Sequence, residues 1–266
     1  MGADSCGLAL TGARALVTAS TKGIGFGIAK VLASCGARVV INGRDPGTVS
    51  ESVEKLSSLG EVSGIACDLA REGCASRLVR EAASRLGGLD ALVYVPPPPP
   101  GGRFQEVSLE DWRLSYRLLV EAPIEAVTAA VEYLRESRNP SITFVTSIAA
   151  WEVFPEIATS TVLRPSLHAL TVLLARELGP LGVRVNAVVP GYILTDRLTA
   201  LAEKRARGKG TTSDQELKEM ASVIPLGRIG EKEEVGWIAA FLASPRASYV
   251  TGAIVAATGG LHRLTR

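Results

Sequence analysis

Short apolar runs rich in branched residues alternate along this chain with longer stretches whose apolar positions recur every three to four residues. Runs of four to eight apolar residues read as strands buried on both faces. They fall at about 13–18, 37–41, 62–67, 89–94, 141–146, 183–189 and 253–257. Helical periodicity fills the gaps: Ile24, Ile28, Val31 and Leu32 share one face, and further helices are expected near 47–58, 72–86, 165–178 and 231–242. Ser108 caps a long helix with Glu110 and Asp111 in its first turn, and Pro123 should kink it. Strand alternating with helix throughout predicts an α/β fold, a doubly wound parallel sheet of about seven strands with helices on both faces. No composition break divides residues 1–266, so one domain is expected. Residues 196–222, charged and helical with a Gly-Lys-Gly break at 208–210, read as a mobile cover over a cleft.

Composition narrows the class. Hydrophobic residues make up 47% and charged residues 21%, enough for a sizeable core and incompatible with global disorder. No apolar run reaches membrane-span length, and the N-terminus lacks the basic start and apolar centre of a signal peptide, so a cytoplasmic protein is expected. A net charge of +2 with scattered basic residues leaves no footprint for nucleic acid. Cys6, Cys35, Cys67 and Cys74 fit no zinc spacing and read as small buried hydrophobes; no metal site is expected. Arginine exceeds lysine and amide side chains are scarce, as in heat-adapted proteins, where a Cys67–Cys74 bridge is compatible with a cytosolic setting.

The chemistry centres on Thr18 to Ala29, T-A-S-T-K-G-I-G-F-G-I-A, placed between the first strand and the first helix. Such a turn aims free backbone N–H groups and the positive end of a helix dipole at one point, and glycines admit a pyrophosphate without a Cβ in the way. A dinucleotide is the expected ligand. The second strand ends in Asn42-Gly43-Arg44 with no acidic residue to take ribose hydroxyls. Arg44 and Lys22 therefore point to a 2′-phosphate, hence to NADP(H) over NAD(H). Pro96 to Pro100 follow the fourth strand and form either a stiff wall of the cofactor cleft or a surface loop.

The glycine turn, Asp68, the segment R-V-N-A-V-V-P-G-Y-I-L-T at 184–195, and Pro225-Leu226-Gly227-Arg228 together resemble the short-chain dehydrogenase/reductase family from about residue 10 to 260. The resemblance implies a single Rossmann domain, a nicotinamide cofactor and a homotetramer. It places Ser20, Thr21, Lys22, Gly23, Ile24 and Gly25 around the phosphates and ribose, Arg44 on the 2′-phosphate, and Asp68 and Leu69 at the adenine. Pro190, Gly191, Ile193 and Thr195 would meet the nicotinamide.

The catalytic set departs from the family's serine, tyrosine and lysine. Ser147 matches the serine, but the tyrosine position holds Ser160 and the lysine position Arg164; Leu119 stands where the family has asparagine, and Ala19 replaces the first glycine of the turn. In this the chain resembles a 3-oxoacyl-carrier-protein reductase-like side branch of the family. A phenol beside a cation suits proton delivery and an alkyl hydroxyl does not, while Arg164 keeps a charge that could hold the cofactor's nicotinamide ribose hydroxyls without giving up its proton. Pro165 is expected to push Arg164 away from helical geometry. Tyr94, Tyr116 and Tyr192 are the substitute acids on offer, although buried aromatics are commonly structural. His168, one turn beyond Arg164, and His262 read as packing on a subunit face, with a proton relay through His168 the other use. Three functions stay open: an NADP(H)-dependent oxidoreductase acting on a small carbonyl or alcohol, a nucleotide-binding protein or sensor without turnover, and a non-redox lyase or isomerase with structural NADP.

Overall fold

A computed structural model describes residues 6–262. The outermost residues of the one-domain span, 1–5 and 263–266, lie outside the described residues, and with them the first half of the N-terminal stretch compared above with a signal peptide. Seven strands form one sheet in the order β3-β2-β1-β4-β5-β6-β7, every neighbouring pair parallel. They are β1 (Arg14–Val17), β2 (Arg38–Gly43), β3 (Val62–Ala66), β4 (Ala91–Tyr94), β5 (Ser141–Val145), β6 (Arg184–Pro190) and β7 (Ile254–Ala257). The order reverses between β1 and β4, which opens a crevice at their carboxyl ends.

Strand periodicity sorts the core into two layers. Leu16, Val40, Leu92 and Tyr94 point to the face covered by α3 (Cys74–Leu86), α5 (Ala122–Leu134) and α7 (Pro165–Leu178). Ala15, Val17, Val39, Ile41 and Val93 point to the face covered by α1 (Gly23–Ser34) and α10 (Lys232–Ala243), with Leu56 of α2 (Pro46–Ser57) at its edge. The two covering helices approach closely because neither has a side chain at the crossing: a Cβ on Gly27 would lie 2.7 Å from the Lys232 backbone, and one on Gly236 would lie 2.8 Å from the Gly27 carbonyl.

Ser108 caps α4 (Leu109–Tyr116) as its sequence predicts, and does so through a reciprocal bond with Asp111. The expected kink at Pro123 takes the form of a π-helical stretch, Arg117–Glu121, before α5 begins. Proline cannot donate to the preceding turn, and the wider turn carries that mismatch. Leu119 lies in this stretch, fully buried. The stretch ahead of the helix expected at 165–178 contains an additional short helix, α6 (Ala158–Leu163).

The segment expected as a cover is a helical hairpin of α8 (Asp196–Lys209) and α9 (Ser213–Ser222). It has a small core of its own, Leu198, Ala202 and Met220, packed with Tyr192 and Ile229. The break is narrower than the sequence suggests, since α8 runs through Gly208 and ends at Gly210, whose φ is +70°. Lys209 then pairs with Glu216 and Glu219, pinning the corner.

Candidate functional site

The crevice is fastened at its base by Thr18, whose N–H donates to Val93 O (3.1 Å) and whose hydroxyl donates to Val95 O (2.8 Å). The glycine turn rises from this point. Ala19 has φ +43°, the left-handed conformation for which the family's glycine is suited, and its N–H donates to Asn42 Oδ1 at 3.2 Å. Ser20 is fully buried; its hydroxyl donates to Val17 O and accepts from Asn42 N, so its side chain is committed to holding the turn. Its backbone N–H is committed as well, donating to Asn42 O at 2.7 Å, so Ser20 shapes the turn in place of the phosphate contact expected from sequence.

The turn fits a dinucleotide. A Cβ at Gly25 would collide with the Ala19 carbonyl, so α1 starts directly over the turn and aims its N-terminal N–H groups, with no acidic side chain in its first turn, into the crevice. Gly23 lies beneath Thr195, whose Cγ2 stands 3.5 Å from where a Cβ would be. Thr21 packs under Gly43, and Ile24 is half-buried on the core beneath α1. Lys22 and Arg44 are exposed and neither makes an ion pair or side-chain hydrogen bond among the described residues.

At the adenine end, Asp68 Oδ1 accepts from Ala70 N at 3.1 Å. The Leu69 side chain is buried in the core, which leaves its backbone alone for a base. Asn42 links all these pieces: it is buried, and its carboxamide nitrogen donates to Ile65 O (3.2 Å) and Cys67 O (3.0 Å) while its oxygen holds Ala19. Sequence reasoning saw Asn42 only as the residue before Gly43-Arg44. A polar side chain inside an otherwise apolar strand run was the signal available. The chain also pairs Cys67 with Cys74 around Asp68, and Cys6 with Cys35, the second pairing having no forerunner in the spacing.

At the other end of the crevice, Pro190 closes β6 and Gly191 passes so near Thr258 that a Cβ would meet its Cα at 2.9 Å. Ile193 is buried and bridges to Gly230, and Thr195 caps α8 by accepting from Leu198 N. Ser147 follows β5, half-buried, its Oγ accepting from Ala149 N at 3.2 Å. Ser160 lies in α6 and is only 2% exposed. The proline segment is stitched to this region, with Thr159 donating to Pro100 O and Gly102 bridging Ile157, so it forms a wall beside Ser160.

Arg164 joins α6 to α7 with φ −67° and ψ −28°, helical geometry and not the extended form expected before Pro165. The turn of α6 already sets that conformation, and Pro165 occupies the first position of α7, where a missing N–H is harmless. Arg164 is 9% exposed, and its guanidinium donates from Nη1 to Thr146 O at 2.7 Å. Burial, with the Arg197 charge second, pushes its pKa down to about 9, so it stays a cation at neutral pH.

The three tyrosines offered as substitute acids take different places. Tyr94 is in the core; its hydroxyl donates to Leu118 O at 2.9 Å and burial drives its pKa far above the ordinary range. It is a structural aromatic. Tyr192 packs with the α8–α9 core, and Tyr116, half-exposed, lines a groove of about 410 Å³ with Trp112 and Leu163. His168 and His262 are half-buried and flank Trp151, with His168 Nε2 2.9 Å from Thr146 Oγ1 and His262 Nδ1 2.7 Å from Thr258 Oγ1. Burial lowers His168 to about 4, which keeps it neutral near pH 7.

Comparison with known proteins places this geometry among relatives. Residues 18–262 match the family described as Enoyl-(Acyl carrier protein) reductase. Dehydrogenase/reductase SDR family member 4 of Bos taurus is 37% identical over 96% of this chain and 91% of its own length. Human dehydrogenase/reductase SDR family member 2, mitochondrial, is 35% identical over 94% of this chain and 86% of its length. Among solved structures, L-sorbose reductase of Gluconobacter frateurii, complexed with NADPH and L-sorbose, superposes with a TM-score of 0.91 at 28% identity, covering 97% of this chain and 99% of that one.

Proposed function

The chain belongs to the short-chain dehydrogenase/reductase family, and from that premise we propose that it is an NADP(H)-dependent oxidoreductase acting on a small carbonyl or alcohol substrate. The observation that carries the cofactor preference is the pair of exposed cations, Lys22 in the glycine turn and Arg44 just after β2, with no carboxylate at that strand end. When bound, the nicotinamide supplies or accepts a hydride at the carbonyl carbon. Backbone N–H groups of the turn and the N-terminus of α1 would hold the diphosphate, Asp68 and the Leu69 backbone the adenine, and Pro190, Gly191, Ile193 and Thr195 the nicotinamide side.

At the reacting carbon, Ser147 Oγ would donate to the carbonyl oxygen, and the Arg164 cation would favour the negative charge that develops there. Ser160 leaves room where the family places a phenol, and Arg164 keeps its proton, so the proton is drawn from solvent through the Ser147 hydroxyl. The α8–α9 hairpin is the proposed cover that excludes bulk water.

A second reading, nucleotide binding without turnover, is favoured by the burial of both Ser160 and Tyr94, which leaves no phenol beside Arg164. Titration of NADPH and NADH by fluorescence, followed by turnover on a panel of ketones, aldehydes and sugars, separates the two. Tight NADPH binding without any oxidation favours the second.

Assembly as a homotetramer is proposed through exposed apolar residues on the helices named from sequence, including Leu109, Leu114 and Ile124 after Ser108 and Leu173 after Pro165, with β7 at the free sheet edge. The two cysteine pairs are consistent with the heat-adapted cytoplasmic setting read from composition. No helix among the described residues is long and apolar enough to cross a membrane.

A further inference from the structure

The loop that leaves β3 carries Asp68 and Leu69, the adenine residues of the proposed cofactor site, and it is held by side chains from a later part of the chain. Cys67 and Cys74 close its base. Within it Asp68 Oδ1 accepts from Ala70 N at 3.1 Å and Asp68 O accepts from Arg71 N at 2.9 Å, so the aim of the Asp68 carboxylate follows the main chain of 70–73. Arg117 and Glu125 hold that main chain. Arg117, 8% exposed, donates from Nη2 to Arg71 O at 3.0 Å and from Nη1 to Glu125 Oε1 at 2.6 Å. The same Glu125 oxygen accepts from Gly73 N at 3.2 Å, which brings a carboxylate to the N-terminus of α3, a helix with no side-chain cap and no acidic residue in its first turn.

The π-helical stretch Arg117–Glu121 is what lets the two side chains meet. In a regular α-helix residues eight apart are turned about 80° from one another, whereas one inserted residue leaves them about 20° apart, nearly in line. Stability is a poor account of the pair. A largely buried ion pair gains little over apolar side chains of the same volume, and Arg117 Nε is buried with no hydrogen-bond partner. What Arg117 and Glu125 share is a hold on residues 71–73. Leu118, next to Arg117, accepts from Tyr94 at the end of β4, so the pair ties the adenine loop to the strand that borders the crevice.

We propose that Arg117 and Glu125 are positioning residues for adenine recognition: they set the loop so that the Asp68 carboxylate meets the adenine amino group, and dinucleotides lacking that amino group are bound less well. The proposal rests on the NADP(H) reading of the crevice. Both residues act through the main chain of Arg71 and Gly73.

The test is fluorescence titration of NADPH and of its deamino counterpart, reduced nicotinamide hypoxanthine dinucleotide phosphate, in which a keto oxygen replaces the adenine amino group. The parent protein should bind NADPH about ten-fold more tightly, the effect of one hydrogen bond to a charged group. Arg117→Gln should bring the two nucleotides within about two-fold of each other by weakening NADPH alone, a change in base preference that general loosening of the fold does not produce. Arg117→Lys, which keeps a cation beside Glu125, should retain part of the preference. The double change Arg117→Met with Glu125→Leu removes the hold without leaving a buried charge, so it should repeat the Arg117→Gln result, and it takes the place of Arg117→Gln if that variant shows no melting transition. A double variant that keeps the parent's preference, or that loses affinity for both nucleotides equally, overturns the proposal. A parent protein that binds NADPH no better than the deamino form also overturns it and leaves the NADP(H) reading standing. A parent protein that binds neither removes both.

Discussion

Asn42 and Ser20 bond each other twice, Ser20 N–H to Asn42 O at 2.7 Å and Asn42 N–H to Ser20 Oγ at 2.9 Å, and this double tie ends β2 against the glycine turn. The Asn42 carboxamide then extends the tie to Ala19, Ile65 and Cys67. Asn42→Ala leaves those groups unpaired in a buried setting and is expected to cost about 2–3 kcal/mol of stability, read from urea unfolding, while weakening NADPH roughly ten-fold. An unchanged melting transition would show that the carboxamide is not a structural hub.

Ala19 holds a positive φ that disfavours any Cβ. Ala19→Gly is expected to stabilise the protein by about 1 kcal/mol, a rise in Tm of roughly 2–4 °C. A lower Tm than the parent contradicts strain at this position.

Arg44→Ala should weaken NADPH about ten-fold or more and leave NADH within two-fold, because only the former carries the dianionic phosphate. Fluorescence titration of both nucleotides reads it. Parallel loss of both affinities would mean that Arg44 serves the shared adenosine and not the phosphate.

His168 titrates lower in the folded chain than in the unfolded one, where its pKa is near 6.5. The unfolded state therefore binds the proton first. Stability that His168 contributes is complete above about pH 6.5 and is lost as pH falls toward 4. His168→Gln should flatten the fall in urea midpoint between pH 7 and pH 5; an identical slope in parent and variant removes His168 from the account.

Ser160 is 2% exposed and the proline wall stands beside it. Restoring the family pair with Ser160→Tyr and Arg164→Lys should overpack this region, lowering stability by about 1–3 kcal/mol without creating a general ketone reductase. Strong new ketone reduction by the double variant would show instead a site that had merely lost its acid.

The sheet was legible because buried parallel strands write continuous apolar runs, and each run named from 13–18 to 253–257 overlaps an observed strand. The glycine turn was legible for the same local reason. The partner of Tyr94 was not, because its hydroxyl finds Leu118 O in the stretch before α5, a contact between residues of different elements. Asn42 and the pairing of His168 and His262 around Trp151 were hidden likewise, each depending on partners remote in sequence. Arg164 misled through Pro165: local stereochemistry argued for extension, and the α6–α7 continuity prevailed.

The bare crossing of α1 over α10 also bears on how the chain is made. Gly27 and Gly236 are roughly two hundred residues apart, and a ribosome adding about 5–20 residues per second needs tens of seconds to join them. Through that interval α1 has no lid on its outer apolar face. The nascent chain thus carries an open hydrophobic surface on its first helix until nearly the last element has emerged, which makes a holding chaperone the natural companion of its synthesis and late truncations prone to aggregate.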